Sequence, residues 1–343
     1  MERNQIMDLL ERSTAIIEAN QSKHGSYIAS PSFSQYGYCW FRDGSFVAHA
    51  MEKAGRKESS ARFIRWGLAV LKRYRDSLQK ATVGSVTLDS FLPTRYTMEG
   101  FYSEDNWTNA QSDGYGTFLW VVAERPELLD QSDCEICDLC ARYLERVWRL
   151  PCYDVWEESP TMVHTSTLLS IVAGLKAIEG IINRKTAWRD IMDFILEELT
   201  SDGRLKKSNA ADEVDSSLIW ASYPYGLLDG DSLLMKKTAR TVMNELYFDG
   251  GLKRYRKDTY FGGGSWILLS AYLAGHLKSN NERDISEEIK AWIERKADSK
   301  GFLPEQVPEN LLEERMYAPW VEKWGEIASP LLWSHAAYID MLL

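Results

Sequence analysis

Two short acidic segments of the chain carry residues suited to acid–base chemistry. The segment 154–158 reads DVWEE and places two carboxylates, Glu157 and Glu158, beside an indole. Repulsion between neighbouring carboxylates and shielding from water both raise a carboxyl pKa, as a general acid working near neutral pH requires. The second candidate is Glu305, a possible base that follows a proline in a loop-like stretch. Taken alone, the first segment also fits the acidic start of a helix, and Glu305 also fits a solvated loop residue.

Three further segments mix aromatic rings with polar side chains. Residues 36–44 read YGYCWFRDG, so an arginine that donates hydrogen bonds and an aspartate that accepts them stand among aromatic rings. Residues 254–266 combine an arginine and an aspartate with tyrosines and a tryptophan, and residues 107–114 combine a tryptophan with Gln, Asp and Gly. Aromatic faces stack on the C–H faces of sugars, although a large aromatic core explains the same residues without any ligand.

Helical periodicity dominates the elements that must position these segments. Strand-like alternation is scarce, and only residues 82–92 form a candidate hairpin. Because the candidate site residues cluster in the connections, they stand where rigid scaffolds usually build their sites. The whole chain, residues 1–343, fits one all-α domain of six helical hairpins closed into an (α/α)6 barrel. The spacing of apolar residues predicts helices at 6–17, 44–54, 59–78, 111–123, 132–148, 162–178, 185–199, 214–228, 232–246, 264–277, 283–296 and 329–342.

Composition argues against several classes of function. The net charge of −10 repels a phosphate backbone, so we expect no nucleic-acid partner. No run of about 18 apolar residues occurs, so we expect no membrane span. Five cysteines, an odd number without a secretory leader, favour a reduced, cytoplasmic setting. The histidines show no metal-ligand spacing and the CxxCxxC pattern at 134–140 lies in a predicted helix, so we expect neither a metal nor a cofactor.

Six motifs in one order resemble glycoside hydrolase family 15, the glucoamylase-like enzymes. Each motif is weak alone, but together they cover residues 26–342, and the resemblance implies an (α/α)6 barrel. The motifs are YGYCWFRD at 36–43, WTNAQSDG at 107–114, DVWEE at 154–158, RYRKDTY at 254–260 with a tryptophan at 266, EQ at 305–306 and WSHA at 333–336.

The resemblance also implies a role for each matched residue. Glu157 would be the catalytic acid and Glu305 the base, and in an inverting enzyme they would face each other across roughly 6.5–9.5 Å. Arg42 and Asp43 would hold the sugar at the non-reducing end, and Tyr36 would lie beside its anomeric carbon. The other residues expected to bind substrate are Trp40, Trp107, Gln111, Trp156, Glu158, Arg254, Tyr255, Tyr260 and Trp266.

Departures from the family pattern bear on the substrate. The chain is expected to hold the catalytic domain only, without the β-sandwich domain of many relatives or a starch-binding module. Its segment Val307–Pro330, which contains Tyr317, Trp320 and Trp324, is longer than in the fungal enzymes and would cover the leaving-group subsites. We therefore expect an exo-acting enzyme that releases β-glucose from short oligosaccharides, with α-1,6 linkages of the isomaltose type favoured. The alternatives are a trehalase or a malto-oligosaccharide glucoamylase of the same family, or a non-catalytic sugar-binding or regulatory protein.

Overall fold

Helices make up most of the molecule. The computed structural model describes residues 2–87, 90–103 and 107–343, with the backbone alone for residues 2–8. The α-helices of these residues, numbered α1 to α13 in chain order, are Glu2–Ala19, Phe41–Lys53, Lys57–Arg73, Arg75–Thr82, Asp113–Val122, Gln131–Val147, Thr165–Ile178, Trp188–Glu198, Leu233–Leu246, Ile267–Ser279, Arg283–Lys296, Tyr317–Trp324 and Leu332–Leu342.

Helical segments alternate between an inner and an outer ring. In the inner ring, α2 contacts α5, α5 contacts α7, and α7 contacts a 3-10 helix at Ser216–Ala221; that helix contacts α10, which contacts α13, and α13 returns to α2. Outer helices pack behind each of these: α3 on α2, α6 on α5, α8 on α7, α9 on the 3-10 helix, α11 on α10 and α1 on α13. The ring is closed, and the predicted all-α (α/α)6 barrel is confirmed.

Several boundaries differ from the prediction. The stretch 214–228 was wrongly predicted as an α-helix, since only Ser216–Ala221 is helical, as a 3-10 turn. Pro224 explains this, because proline lacks an N–H donor and disfavours helical geometry in the residue before it. The predicted hairpin at 82–92 is also wrong: α4 ends at Thr82, and residues 83–87 and 90–92 contain no strand, while residues 88 and 89 lie outside the described residues. Helix α12 was not predicted.

Short strands tie the loops together. A sheet with the order β5-β6-β7-β8 is antiparallel throughout, and it pairs Trp266 with Gln306. A second pair, β1 and β2, aligns Trp40 with Arg95. The strands β1 to β8 are Cys39–Trp40, Arg95–Tyr96, Thr200–Ser201, Arg204–Leu205, Tyr247–Phe248, Gly251–Leu252, Ser265–Trp266 and Gln306–Val307.

The inner helices α5 and α7 approach each other closely where glycines face each other. A Cβ atom on Gly174 of α7 would lie 2.1 Å from the carbonyl oxygen of Gly116 on α5. Only glycine fits at that distance, so these positions allow the backbones of α5 and α7 to touch. One buried apolar core extends from Leu9 to Met341, and a separate small cluster joins Phe33, Phe261 and Ala328 to helix α12. Among the described helices, none is both long and apolar enough to cross a membrane.

Candidate active site

The main cavity lies at the N-terminal ends of the inner helices. Its volume is about 530 Å³, which is within the usual range for a small-molecule site. The residues that line it come from the segments that precede α2, α5, α7, α10 and α13, from the first turns of α2 and α13, and from α12. The predicted site residues among them are Tyr36, Trp40, Arg42, Asp43, Trp107, Trp156, Glu157, Glu158, Arg254, Tyr260, Trp266 and Glu305.

Glu157 lies in a tight turn before α7. Its backbone has a φ of 66°, in the left-handed region that side chains other than glycine rarely adopt. Trp40 Nε1 donates a hydrogen bond of 2.6 Å to Glu157 Oε1. Burial raises the pKa of Glu157, whereas the positive charge of Arg42 and the hydrogen bonds from Trp40 and Gln111 oppose that increase. The turn therefore presents a half-buried carboxyl whose protonated form is favoured by desolvation.

Glu158 does not provide the repulsion expected for its neighbour. Its carboxylate accepts hydrogen bonds from Arg254 Nη2 at 3.2 Å and from the hydroxyl of Tyr255. The like charge that raises the pKa of Glu157 is instead Asp43. Of the two causes predicted for the raised pKa of Glu157, burial is confirmed. The neighbouring carboxylate that raises this pKa is Asp43 and not Glu158.

Glu305 is the second acid of the cavity. Its backbone N–H donates to the carbonyl of Ala328 at 2.9 Å, and its carbonyl accepts from the N–H of Ile267 at 3.2 Å, so it lies between α10 and α13. Tyr36 donates to Glu305 Oε1 at 2.8 Å, and the hydroxyls of Tyr36 and Tyr260 are 3.0 Å apart. Burial raises the pKa of Glu305 to about 7, although the hydrogen bond from Tyr36 and the neighbouring Tyr260 hydroxyl lower it.

Arg42 is held by carboxylates at the base of the cavity. Its Nε lies 3.1 Å from Asp43 Oδ1, and its Nη1 lies 3.1 Å from both Asp113 Oδ2 and Gln111 Oε1. The guanidinium lies over the ring of Trp333, 5.4 Å from its centroid. Asp113 and Trp333 were noted in motifs but given no role, and both belong to this group.

Two predicted binding residues do not line the main cavity. Gln111 lies behind Arg42 and contacts it directly. Tyr255 lies behind Glu158 and donates to its carboxylate. Both therefore position a side chain that does face the cavity, and we expect neither of them to touch the substrate.

Several lining residues were not among the residues predicted to bind substrate, although the segment that holds Trp320 and Trp324 was expected to cover the leaving-group subsites. Trp320, Lys323 and Trp324 reach the cavity from α12, and Phe33 reaches it from the segment before α2. The tryptophans stood out in the long connection before α13, whereas nothing in the sequence marks Lys323 or Phe33. Arg95 was also missed; its guanidinium lies over the rings of Trp107, Tyr38 and Trp40, at 3.7, 4.1 and 5.2 Å from the centroids.

The model of the family described as "Glycosyl hydrolases family 15" matches residues 7–300. The chain belongs to that family. It is a glycoside hydrolase. It is 38% identical over 351 residues to the isomaltose glucohydrolase of Kribbella flavida, and the aligned region covers 97% of this chain and 91% of that relative. The glycosidase is also 36% identical to a glycosidase of known structure, with a TM-score of 0.93 over 99% of this chain and 96% of the other, including a variant in complex with glucose. A bacterial glucoamylase complexed with acarbose shares the fold, with a TM-score of 0.76 at 18% identity over 97% of this chain and 55% of the other.

The CxxCxxC cysteines of the glycosidase lie on α6. Cys137 and Cys140 are buried in the apolar core, and all three thiols, Cys134 included, are free. Within residues 2–87, 90–103 and 107–343 no group of three or more His, Cys, Asp and Glu side chains is arranged to hold a metal ion. These cysteines therefore contribute to packing between α6 and its neighbours.

Proposed function

We propose that this glycoside hydrolase releases β-glucose from the non-reducing end of short α-gluco-oligosaccharides, with isomaltose as the preferred substrate. The observation that carries the proposal is that Glu157 and Glu305, from distant parts of the chain, line the same cavity together with Arg42 and Asp43. The identity of 38% to an isomaltose glucohydrolase over nearly the full length supports the choice of linkage. The continuous core from Leu9 to Met341 supports a single catalytic domain.

In the proposed reaction the two carboxyl groups act on opposite faces of the sugar. Glu157 gives its proton to the glycosidic oxygen as the bond from that oxygen to the anomeric carbon breaks. Glu305 takes a proton from a water molecule, whose oxygen bonds to the anomeric carbon and inverts its configuration. Glu305 Oε1 accepts from Tyr36, while the buried Oε2 has no hydrogen-bond partner among the described residues and is free to accept from that water.

Recognition of the terminal glucose would fall to Arg42 and Asp43. Arg42 is buried and Asp43 is largely buried, and the sugar hydroxyls can bond to the hydrogen-bonding positions that remain on them. A buried polar site of this kind rejects a sugar that lacks the matching hydroxyl, because its own groups would be left unpaired. Trp107 and Trp266 provide apolar walls on which the sugar ring can stack.

Helix α12 supports a preference for short substrates. It carries Trp320, Lys323 and Trp324 into the cavity lining from the connection between β8 and α13. Lys323 and Trp324 remain partly exposed, so this helix lies at the cavity mouth. A leaving group that extends from the terminal glucose toward solvent would pass these side chains, and we assign them to the leaving-group subsite.

The proposal is tested with purified protein and a panel of isomaltose, panose, maltose and trehalose. We expect the highest kcat/KM for isomaltose, and proton NMR of the first product should show the β-anomer before mutarotation. Release of α-glucose would refute the inverting mechanism, and a higher kcat/KM for trehalose or maltose would refute the linkage preference. No glucose from any of the four sugars would refute the assignment as an α-glucosidase.

A further inference from the structure

We propose that Lys207 is a positioning residue for the catalytic acid, because it holds the turn 154–158 in place through two buried aspartates. The inference rests on the proposed acid role of Glu157. Lys207 belongs to none of the motifs above and does not line the cavity. It follows β4, far in sequence from the turn that it serves.

The acid turn needs an external constraint. Glu157 has a φ of 66°, and a residue other than glycine held in this region costs on the order of 1–3 kcal/mol. The side chain of Asp154 supplies part of the constraint, since its Oδ1 accepts hydrogen bonds from the N–H of Trp156 at 3.0 Å and of Glu158 at 2.9 Å. These two bonds bracket Glu157 and direct its side chain into the cavity.

A second aspartate holds the indole beside the acid. Asp215 Oδ2 accepts a hydrogen bond of 2.8 Å from Trp156 Nε1, while Asp215 Oδ1 accepts from the N–H and hydroxyl of Ser217 at 2.9 and 2.6 Å. Asp215 begins the 3-10 helix of the inner ring. The wall residue Trp156 is thereby tied to the rigid barrel through a carboxylate.

Lys207 is the cation that makes this pair of buried carboxylates tenable. Its Nζ lies 3.3 Å from Asp215 Oδ2 and 3.6 Å from Asp154 Oδ2, and the three side chains are 7%, 2% and 2% exposed. Two carboxylates this deeply buried would repel each other without a counter-charge, and one would take up a proton. The protonated carboxyl would then carry a hydrogen-bond donor, which would disrupt the hydrogen bonds that the carboxylate now accepts from N–H groups.

Lys207 also reaches the neighbour of the acid. Its Nζ lies 3.3 Å from the centroid of the Tyr255 ring, and the Tyr255 hydroxyl donates to Glu158. The backbone of Lys207 is fixed at the start of α7, because its carbonyl accepts from the N–H of Thr165 at 3.0 Å. Lys207 therefore connects the start of α7 with Asp154, Asp215 and Tyr255, each of which contacts a residue of the acid turn.

The test compares two substrates that differ in their need for an acid. The leaving group of isomaltose is a glucose that would depart as an alkoxide without a proton from Glu157. The leaving group of α-D-glucosyl fluoride is fluoride, which departs with far less assistance. General acid catalysis contributes about 10²–10⁴-fold. Glu157→Gln should therefore lose isomaltose hydrolysis and retain much of its activity on the fluoride. We expect Lys207→Met to show the same signature more weakly, with the fluoride-to-isomaltose ratio of kcat/KM raised about tenfold.

Lys253→Met is the matched control. Lys253 is a second fully buried lysine, and its Nζ donates to the carbonyls of Gly263, at 3.0 Å, and of Asn310, beside the loop that carries Tyr260. Disturbing the base side slows the attack of water on both substrates, so the ratio should stay near the wild-type value. An equal loss on both substrates in Lys207→Met would overturn the positioning role.

A charge-balanced variant covers the case in which Lys207→Met does not fold. Lys207→Met/Asp215→Asn removes one buried cation together with one buried anion, and asparagine keeps an acceptor for the indole of Trp156. We expect a folded protein with a raised ratio, and an unchanged ratio would overturn the proposal. If the wild-type protein cleaves neither substrate, the proposed function fails. If Glu157→Gln does not raise the fluoride-to-isomaltose ratio, the assignment of Glu157 as the acid fails. Both outcomes are distinguishable from an unchanged ratio in the Lys207 variants alone.

Discussion

Replacing Tyr260 by phenylalanine tests how Glu305, the proposed base, is kept ionised. The Tyr260 hydroxyl hydrogen-bonds at 3.0 Å to the hydroxyl of Tyr36, which donates to Glu305, and the Tyr260 hydroxyl lowers the pKa of Glu305. Burial has the opposite effect and brings this pKa to about 7. Tyr260→Phe removes one hydrogen bond without adding volume, so the pKa of Glu305 should rise further.

The expected magnitude follows from the strength of one hydrogen bond. A bond to a charged group contributes about 1.5–3 kcal/mol net, and a neutral one about half as much. Because Tyr260 reaches Glu305 through the neutral hydroxyl of Tyr36, the smaller value applies, at about 0.7–1.4 kcal/mol. Since about 1.4 kcal/mol is tenfold in an equilibrium constant, the proton affinity of Glu305 should rise about threefold to tenfold.

The raised pKa of Glu305 should appear only in the acidic arm of the pH profile of kcat/KM for isomaltose. At a pH below the pKa of both carboxyls the rate follows the ionised fraction of Glu305, and at a pH above both it follows the protonated fraction of Glu157. Tyr260→Phe should therefore lower the ratio of kcat/KM at about pH 5 to that at about pH 9 by threefold to tenfold.

Tyr255→Phe serves as the matched control for that measurement. It removes a tyrosine hydroxyl that contacts Glu158 and acts on the pKa of neither catalytic candidate. The ratio between the two arms should stay at the wild-type value even if the overall rate falls. An unchanged ratio in Tyr260→Phe, or a loss confined to the alkaline arm, would show that the Tyr260 hydroxyl does not help to ionise Glu305.

Three further predictions address catalysis, packing and substrate length. Glu157→Gln and Glu305→Gln should each lose at least about 100-fold in kcat on isomaltose with an unchanged circular dichroism spectrum, and full activity in either would remove that residue from the mechanism. Gly174→Ala should lower the free energy of unfolding by about 1–3 kcal/mol in urea titrations, because its Cβ would meet the backbone of α5; Gly180→Ala, with no atom within 4 Å of its Cβ, should be neutral, and equal effects would contradict the packing argument. Trp320→Ala should open the cavity mouth and raise the kcat/KM for isomaltotetraose relative to isomaltose several-fold, whereas an unchanged ratio would place Trp320 outside the leaving-group subsite.

The helices of the two rings illustrate what periodicity in the sequence can predict. Ten of the predicted helices correspond to single α-helices of the structure, because apolar residues at a 3.6-residue spacing dominate where a helix buries one face. The stretch 59–78 was predicted as one helix but breaks at Tyr74 into α3 and α4, and 214–228 fails at Pro224. In both places the local backbone departs from helical geometry while the apolar pattern continues, so periodicity alone gives no sign of the break.

Sequence motifs predicted which residues belong to the candidate site, but they did not predict the contacts that these side chains make. DVWEE at 154–158 and EQ at 305–306 identify the two acids that the cavity brings together. The same motifs could not reveal that Glu158 turns away toward Arg254, because that depends on a hydrogen bond between segments 96 residues apart. Nor could they reveal Lys323, since an isolated lysine in a loop is most often solvated and only the path of α12 brings it to the cavity.

The spacing between the two acids depends on one short segment before α2. Trp40 donates to Glu157 at 2.6 Å and Tyr36 donates to Glu305 at 2.8 Å, so residues 36–40 contact both carboxyls at once. The rings of Tyr36 and Trp40 are 5.7 Å apart at nearly right angles, and β1 pairs Trp40 with Arg95 of β2. Residues 36–40 therefore hold both carboxyls through one continuous piece of backbone, and we infer that this segment helps to set the room left for a water molecule between the proposed acid and the proposed base.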